Sequence, residues 1–223
     1  MTRELLERRL NHMRDEVLNL GSMVEQSAVD VVFALRHLDC TKAEKIEKRD
    51  DFINQRRFAI EEECLTIMAT QQPMAHDLRL LAAILEVITE LERMGDYVKG
   101  IAHIIPMLGP EPLPPNLPDH FEAMAVDANS MLHRALGAFV AGDDKAARFI
   151  PVDDDEVDRL YNVVYHELLR GMIADPKSID RATHLLWVAH NLERFADRVS
   201  NICERTIFTA TGEMMEFSSS GGG

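Results

Sequence analysis

At 223 residues, 46% of them apolar and 28% charged, the chain has the means to bury a sizeable core, and composition excludes a disordered class. A formal net charge of −14 disfavours nucleic acid and anionic membrane surfaces, which recruit basic patches, and favours cations or basic protein surfaces as partners. There is no run of ~18 apolar residues, and the segment Met1 to Arg9 lacks the apolar stretch of a signal peptide, so a cytoplasmic chain with no spanning segment is expected.

The elements read almost entirely as helix. From Thr2 to Leu38, Leu6, Leu10, Met13, Val17, Leu20, Val24, Ala28, Val31, Leu35 and Leu38 step by three or four, a near-heptad stripe. That stripe serves equally as a dimer face or as a cover for a bundle. Thr41 with Glu44 spells a capping box for a second helix to Thr70, carrying Ile46, Ile53, Ile60, Leu65 and Ile67. A third helix is expected from Pro73, placed in its first turn, to about Met107. Five prolines then break the chain between Leu108 and Asp119. Helix four follows from Asp119 to Ala141, helix five from Lys145 to Ala174 with an interruption at Pro151, and helix six from Ser178 to Thr209. Residues 210–223, ending in Ser218 to Gly223, read as a disordered tail. Cys40, Cys64 and Cys203 have no paired spacing and fit reduced packing thiols, while the twelve methionines fit core filling.

The chain repeats itself. Ala34-Leu35 answers to Ala135-Leu136, Asp50-Asp51 to Asp154-Asp155, Glu63 to Glu167, Pro73 to Pro176, and Glu92 to Glu193, each roughly a hundred residues later. The expected fold is therefore all-α: two antiparallel three-helix bundles, residues 1–108 and 119–209, joined by a proline-rich linker (109–118) and related by a pseudo-twofold.

Within the repeat lies an acidic motif. Leu91-Glu92-Arg93-Met94-Gly95-Asp96 and Leu192-Glu193-Arg194-Phe195-Ala196-Asp197 each place a Glu and an Asp four apart, on one helical face with Cβ atoms roughly 5–6 Å apart. A hairpin hinged near Gln71-Gln72 sets Glu92 near Asp51 and Asp96 near Glu47, with Asp50 converging. A hinge near Pro176 sets Asp197 beside Glu156 and Glu193 near Leu160, with Asp155 and Asp158 within a turn and Asn201 and Glu204 continuing the face. Carboxylates crowded in this way call for arginine or a cation. Hard oxygen donors suit magnesium, calcium, manganese or iron, with zinc also admitted, as divalent or trivalent ions. Such a cluster competes with the plainer reading of a solvated helix face, and His76, His103 and His190 are lone helical histidines.

Gln72-Pro73-x-Ala75-x-Asp77-Leu78-Arg79, Leu91-Glu92-Arg93-x-Gly95-Asp96 and Leu192-Glu193-Arg194-x-x-Asp197-x-x-x-Asn201-Ile202-x-Glu204 together resemble the PhoU family, phosphate-signalling regulators associated with the Pst phosphate transporter. The resemblance runs to about Phe208. It implies metal at Glu92/Asp96 and at Glu193/Asp197, the second being the stronger site because Gly100 and His103 stand in the first copy where the family usually has Asn and Glu. Phe195-Ala196 departs from the family's Ile-Gly in the second. It further implies a non-enzymatic regulator linking a PstB-like transporter ATPase to a PhoR-like sensor histidine kinase, repressing uptake and the phosphate regulon when phosphate is plentiful. Such a protein would meet the membrane only through partners, take no nucleic acid and form a homodimer. Arg79, Arg93 and Arg194 are candidate partner contacts or, equally, internal counter-ions. No phosphate loop, nucleophile-base pair or dinucleotide fingerprint occurs in the sequence. A ferritin-like carboxylate metal store or oxidase is the alternative, opposed by the lack of Glu-x-x-His pairs in the motifs, and a purely structural scaffold is a third reading.

Overall fold

The structure, a computed structural model, describes residues 3–217, so the expected helix start at Thr2 and the Ser-Gly stretch from Ser218 to Gly223 lie outside the described residues. Every regular element among them is helical: α1 (Arg3–His37), α2 (Cys40–Gln71), α3 (His76–Ile104), α4 (Leu117–Ala141), the short α5 (Asp144–Phe149), α6 (Asp154–Ala174) and α7 (Ile179–Thr211). Short 3-10 turns at Ile105–Leu108, Ile150–Asp153 and Pro176–Ser178 absorb the prolines, which have no N–H to give to a continuing helix. Pro151 thus splits the second helix of the second half into α5 and α6. Pro73 lies in the turn before α3, not in its first helical turn.

The α1 stripe is buried from Leu6 to Leu35, each fully buried aliphatic contributing about 1.5–3 kcal/mol. α1 packs on α2, α3 and α4, so the stripe covers the bundle. Met13, Met94, Met124 and Met131 are buried in the same core. α1, α3, α4 and α7 form the centre; α2 flanks it against α1 and α3, and α6 flanks it against α4 and α7. Each candidate acidic motif therefore sits on a central helix facing an outer one.

α3 and α7 run antiparallel, and their cross-links climb one helix as they descend the other. Arg205 reaches Glu86 at 2.8 Å, Asn201 donates to Glu90 at 2.9 Å, and Arg194 donates to Tyr97. Next along, Asn191 Oδ1 would lie 3.3 Å from a Cβ placed on Gly100, so the glycine lets the Asn191 amide sit close against α3. Glu90/Asn201 and Asn191/Gly100 are the same two repeat positions exchanged, which locates the approximate twofold axis in this seam.

The turns that open α2 and α5 also repeat. Asp39 and Asp143 are the N-caps, their side chains accepting from Lys42 N at 2.9 Å and Ala146 N at 3.0 Å. Leu38 (φ 49°) occupies the left-handed position that Gly142 (φ 68°) fills in the second half. The cap is thus Asp39, two residues ahead of the expected Thr41, because the left-handed Leu38 turns the chain earlier; Glu44 pairs with Lys48 at 2.5 Å instead. Replacing Asp39 by Ala is expected to cost about 1 kcal/mol, read as a fall of ~2–4 °C in melting temperature.

Candidate functional site

In the second half, Asp154 opens α6 with Asp158 one turn on, and α7 brings Glu193 and Asp197 against them. Asp154 Oδ1 and Glu193 Oε2 are buried with no hydrogen-bond partner, and His190 Nδ1 stands 3.4 Å from the latter. Burial, then repulsion from Asp197, Asp158 and Glu193, pushes the Asp154 carboxyl up to about 7. Burial, then Asp197 and Asp158, pushes Glu193 up to about 7 as well. Asp197 and Asp158 are also raised, burial being the largest cause for both. Asp155 is exposed and adds its charge from the rim.

Three expected neighbours point elsewhere. Glu156 pairs with Arg159 at 2.5 Å, and its charge is felt by Asp127 on α4. Counting residues from the hinge places it beside Asp197, but rotation about the α6 axis puts Asp154 and Asp158 there instead. Asn201 is engaged with Glu90 across the seam. Glu204 is buried and accepts the backbone N–H of Phe217 at 2.8 Å. The segment expected to be a disordered tail therefore folds back as far as Phe217, with Met215 and Phe217 packed on the core.

In the first half, Asp50 (2% exposed) sits at the centre. Its Oδ2 accepts from Lys99 Nζ at 2.8 Å and Asn54 Nδ2 at 3.0 Å, while Oδ1 is buried without a partner. Glu92 is raised by burial and then by Asp96, against the pull of Arg57. Asp96 is raised by burial and then by Asp50, against Lys99. Asp51 and Glu47 stand at the margin: Asp51 is exposed and acts on Lys99, and Glu47 contacts His103 Nδ1 at 3.1 Å.

Two of the three arginines meet acidic groups within the chain, while Arg79 lies beside Gly212 with its Nε buried and unpartnered. Arg93 pairs with Glu90 at 3.0 Å, Arg194 donates to Tyr97 and lies 3.8 Å from Asp197, and the Arg79 guanidinium is 3.7 Å from where a Cβ on Gly212 would stand. His76 Nδ1 lies 3.2 Å from the Thr209 carbonyl.

Asp154 is the residue that a spacing argument centred on Asp155 and Asp158 passes over. The signal was in the repeat, which aligns it with Asp50. As the side chains stand, no three His, Cys, Asp or Glu among the described residues form a group placed to hold a metal ion. The donors nevertheless suit a hard cation: four carboxylates, two of their oxygens buried and unpartnered, with mutual repulsion that a positive charge would relieve. Binding would draw these side chains together.

Comparison with known proteins agrees over nearly the whole chain. The PhoU domain matches twice, at residues 17–105 and 121–206. The phosphate-specific transport system accessory protein PhoU homolog of Clostridium acetobutylicum is 35% identical over 97% of this chain and 99% of its own. The Streptococcus pneumoniae homolog of the same name is 35% identical over 93% and 95%. Among solved structures, the phosphate transport system regulatory protein PhoU of Streptococcus pneumoniae superimposes with a TM-score of 0.88 at 33% identity, covering 95% of this chain and all of that one. PhoU of Pseudomonas aeruginosa does so at 0.86, also at 33% identity, over 93% and 99%.

Proposed function

Because the chain belongs to the PhoU family, we propose that it is an accessory protein of phosphate transport, acting without chemistry of its own to couple a transporter ATPase of the PstB kind to a sensor kinase of the PhoR kind. It restrains uptake and the phosphate regulon when phosphate is plentiful. The observation that carries this reading is the end-to-end match, through both repeats, to proteins named for the phosphate-specific transport system. In this reading the protein works in the cytoplasm, as a homodimer, and reaches the membrane through its partners; among the described residues no helix is long and apolar enough to cross a membrane. A regulator of this sort works by binding two states of a partner unequally.

The metal reading belongs to the same proposal. Asp154, Asp158, Glu193 and Asp197 would hold a hard divalent or trivalent ion, which supplies charge neutralisation between α6 and α7. The chain's part is to bring two helices' carboxylates to one place and withhold water and hydrogen-bond donors from two of the oxygens.

The test is capture of the protein from gently solubilised membranes of phosphate-replete and phosphate-starved cells. The transporter ATPase and sensor kinase are expected to be recovered in amounts that change with phosphate. Recovery of neither in either condition would overturn the adaptor reading and leave the carboxylate metal-store alternative.

A further inference from the structure

The two acid pockets are built from aligned positions, and three of these make the first pocket the more positive, while Tyr97 and Thr89 answer to Arg198 and His190 on the seam side of the second. Where the first pocket has Asn54, Arg57 and Lys99, the second has Asp158, Tyr161 and Ser200. In the first, the Lys99 ammonium lies 2.8 Å from Asp50 Oδ2 and in the field of Asp96 and Asp51. Asp50 is almost wholly buried while the Lys99 side chain is 44% exposed, so the ammonium caps the buried carboxylate from the solvent side, across the path a metal ion would take. Arg57 brings a second positive charge to Glu92. In the second pocket a fourth carboxylate replaces Asn54, and a hydroxyl replaces the ammonium. Arg194 and Arg198 do act on Glu193 and Asp197, but from the seam side, where they also engage Tyr97 and Glu90, and Arg194 comes no closer to Asp197 than 3.8 Å, against 2.8 Å for Lys99 and Asp50.

We propose that Lys99 is a tethered cation that fills the first pocket and shuts it to metal, leaving the second as the chain's single metal station. This rests on the metal reading above and adds which pocket is open. A metal ion entering the first pocket would have to displace an ammonium that is attached to the same helix as Glu92 and Asp96, and which therefore rebinds at high effective concentration. It would also face a local charge already partly neutralised by Lys99 and Arg57.

The test is manganese(II) uptake by the full chain, stripped of metal beforehand, measured by calorimetry and elemental analysis with circular dichroism as the check on folding. Wild type is expected to show one class of sites. Lys99→Ser should add a second class and raise uptake per chain about 2-fold, while Lys99→Arg should add none. Ser200→Lys, which strands no buried charge, should abolish uptake by wild type's one class. Unchanged uptake in Lys99→Ser, full uptake in Ser200→Lys, or wild type loading both pockets would each overturn the lock. Wild type taking no manganese while Lys99→Ser takes it up would sink the metal reading of the second pocket and uphold the lock. Uptake by none of the proteins would sink both.

Discussion

Glu193→Gln is expected to shift stability in opposite directions depending on whether metal is present. In the folded, metal-free protein the Glu193 carboxyl is raised to about 7, against an unfolded value of ~4.3. Between those values the folded state holds a proton that the unfolded state has released, so stability falls as pH rises through the window, and above 7 the cost is complete. Glutamine removes the cost. With allowance for Glu193's partial exposure, the gain at pH 8 should be about 1 kcal/mol, or ~2–4 °C in melting temperature, and should be mostly gone by pH 5. Of the groups facing it, Arg194 stays charged in both proteins, Asp158, Asp197 and His190 titrate in both, and Asp154, which the Glu193 charge helps to raise, is relieved in the variant and adds to its gain. With manganese at 100 times its dissociation constant, wild type should instead gain about 2.7 kcal/mol that the variant loses. Equal melting of the two metal-free proteins at pH 8 would show that the cluster is solvated and not strained by its charges. An absence of inversion with manganese would remove Glu193 from the metal's ligands.

Glu90→Ala should be among the most damaging surface-proximal substitutions. Glu90 lies where α3 crosses α7, its side chain 12% exposed, and it takes Asn201 at 2.9 Å, Arg93 at 3.0 Å and Arg198 at 3.5 Å. Arg198 is itself largely buried and its Nε has no partner, so removing Glu90 takes away its one ion pair within 4 Å and leaves a largely buried guanidinium with only the more distant charges of Glu193 and Asp197. Loss of one partner from such a pair costs about 3 kcal/mol, a fall of ~6–12 °C for a chain of this size. Glu90→Gln, which still accepts from Asn201, should cost less. Arg198 also lowers the carboxyls of Glu193 and Asp197, and without Glu90 it is free to turn fully onto them. Manganese affinity in Glu90→Ala should therefore drop, because the ion must compete with the Arg198 guanidinium for Glu193 and Asp197. Thermal melting and manganese titration of the same sample check both halves. A variant that melts like wild type would mean that the seam is held by apolar packing alone.

The helices and their duplication were legible because the apolar stripe along α1, the proline break and the twin motifs are all features of local sequence. Asp50, Glu92 and Asp96 could be brought together by counting back from a hinge, because α2 and α3 are unbroken. The same count failed at Glu156 although α6 is unbroken from Asp154 to Ala174, because counting from a hinge fixes height along a hairpin and not the rotation of a helix about its own axis, which turns Asp154 and Asp158 toward Asp197. The cap at Asp39 was missed because a left-handed leucine is a poor sequence signal, where the Gly142 of the second half is a plain one. The hydrogen bond from Phe217 to Glu204 was invisible, since nothing in a Ser-Gly-rich terminus advertises that the residues before it pack down. The engagement of Arg194 with Tyr97 and of Arg198 with Glu90 is a property of the seam between repeats, and no periodicity within either repeat encodes it.

The seam has the geometry of a symmetric dimer interface whose two subunits have been spliced into one chain. In a dimer of separate identical subunits, every substitution is made twice, so a lysine introduced into one acid pocket would appear in both, and a residue suited to one side of the axis would have to suit the other. Covalent fusion removes that constraint. Gly100 and Asn201 can then be different residues at equivalent places, one making room for Asn191 and the other bonding to Glu90. Symmetry supplied two copies of one architecture, and its relaxation within a single chain is what allows the halves to hold different chemistry.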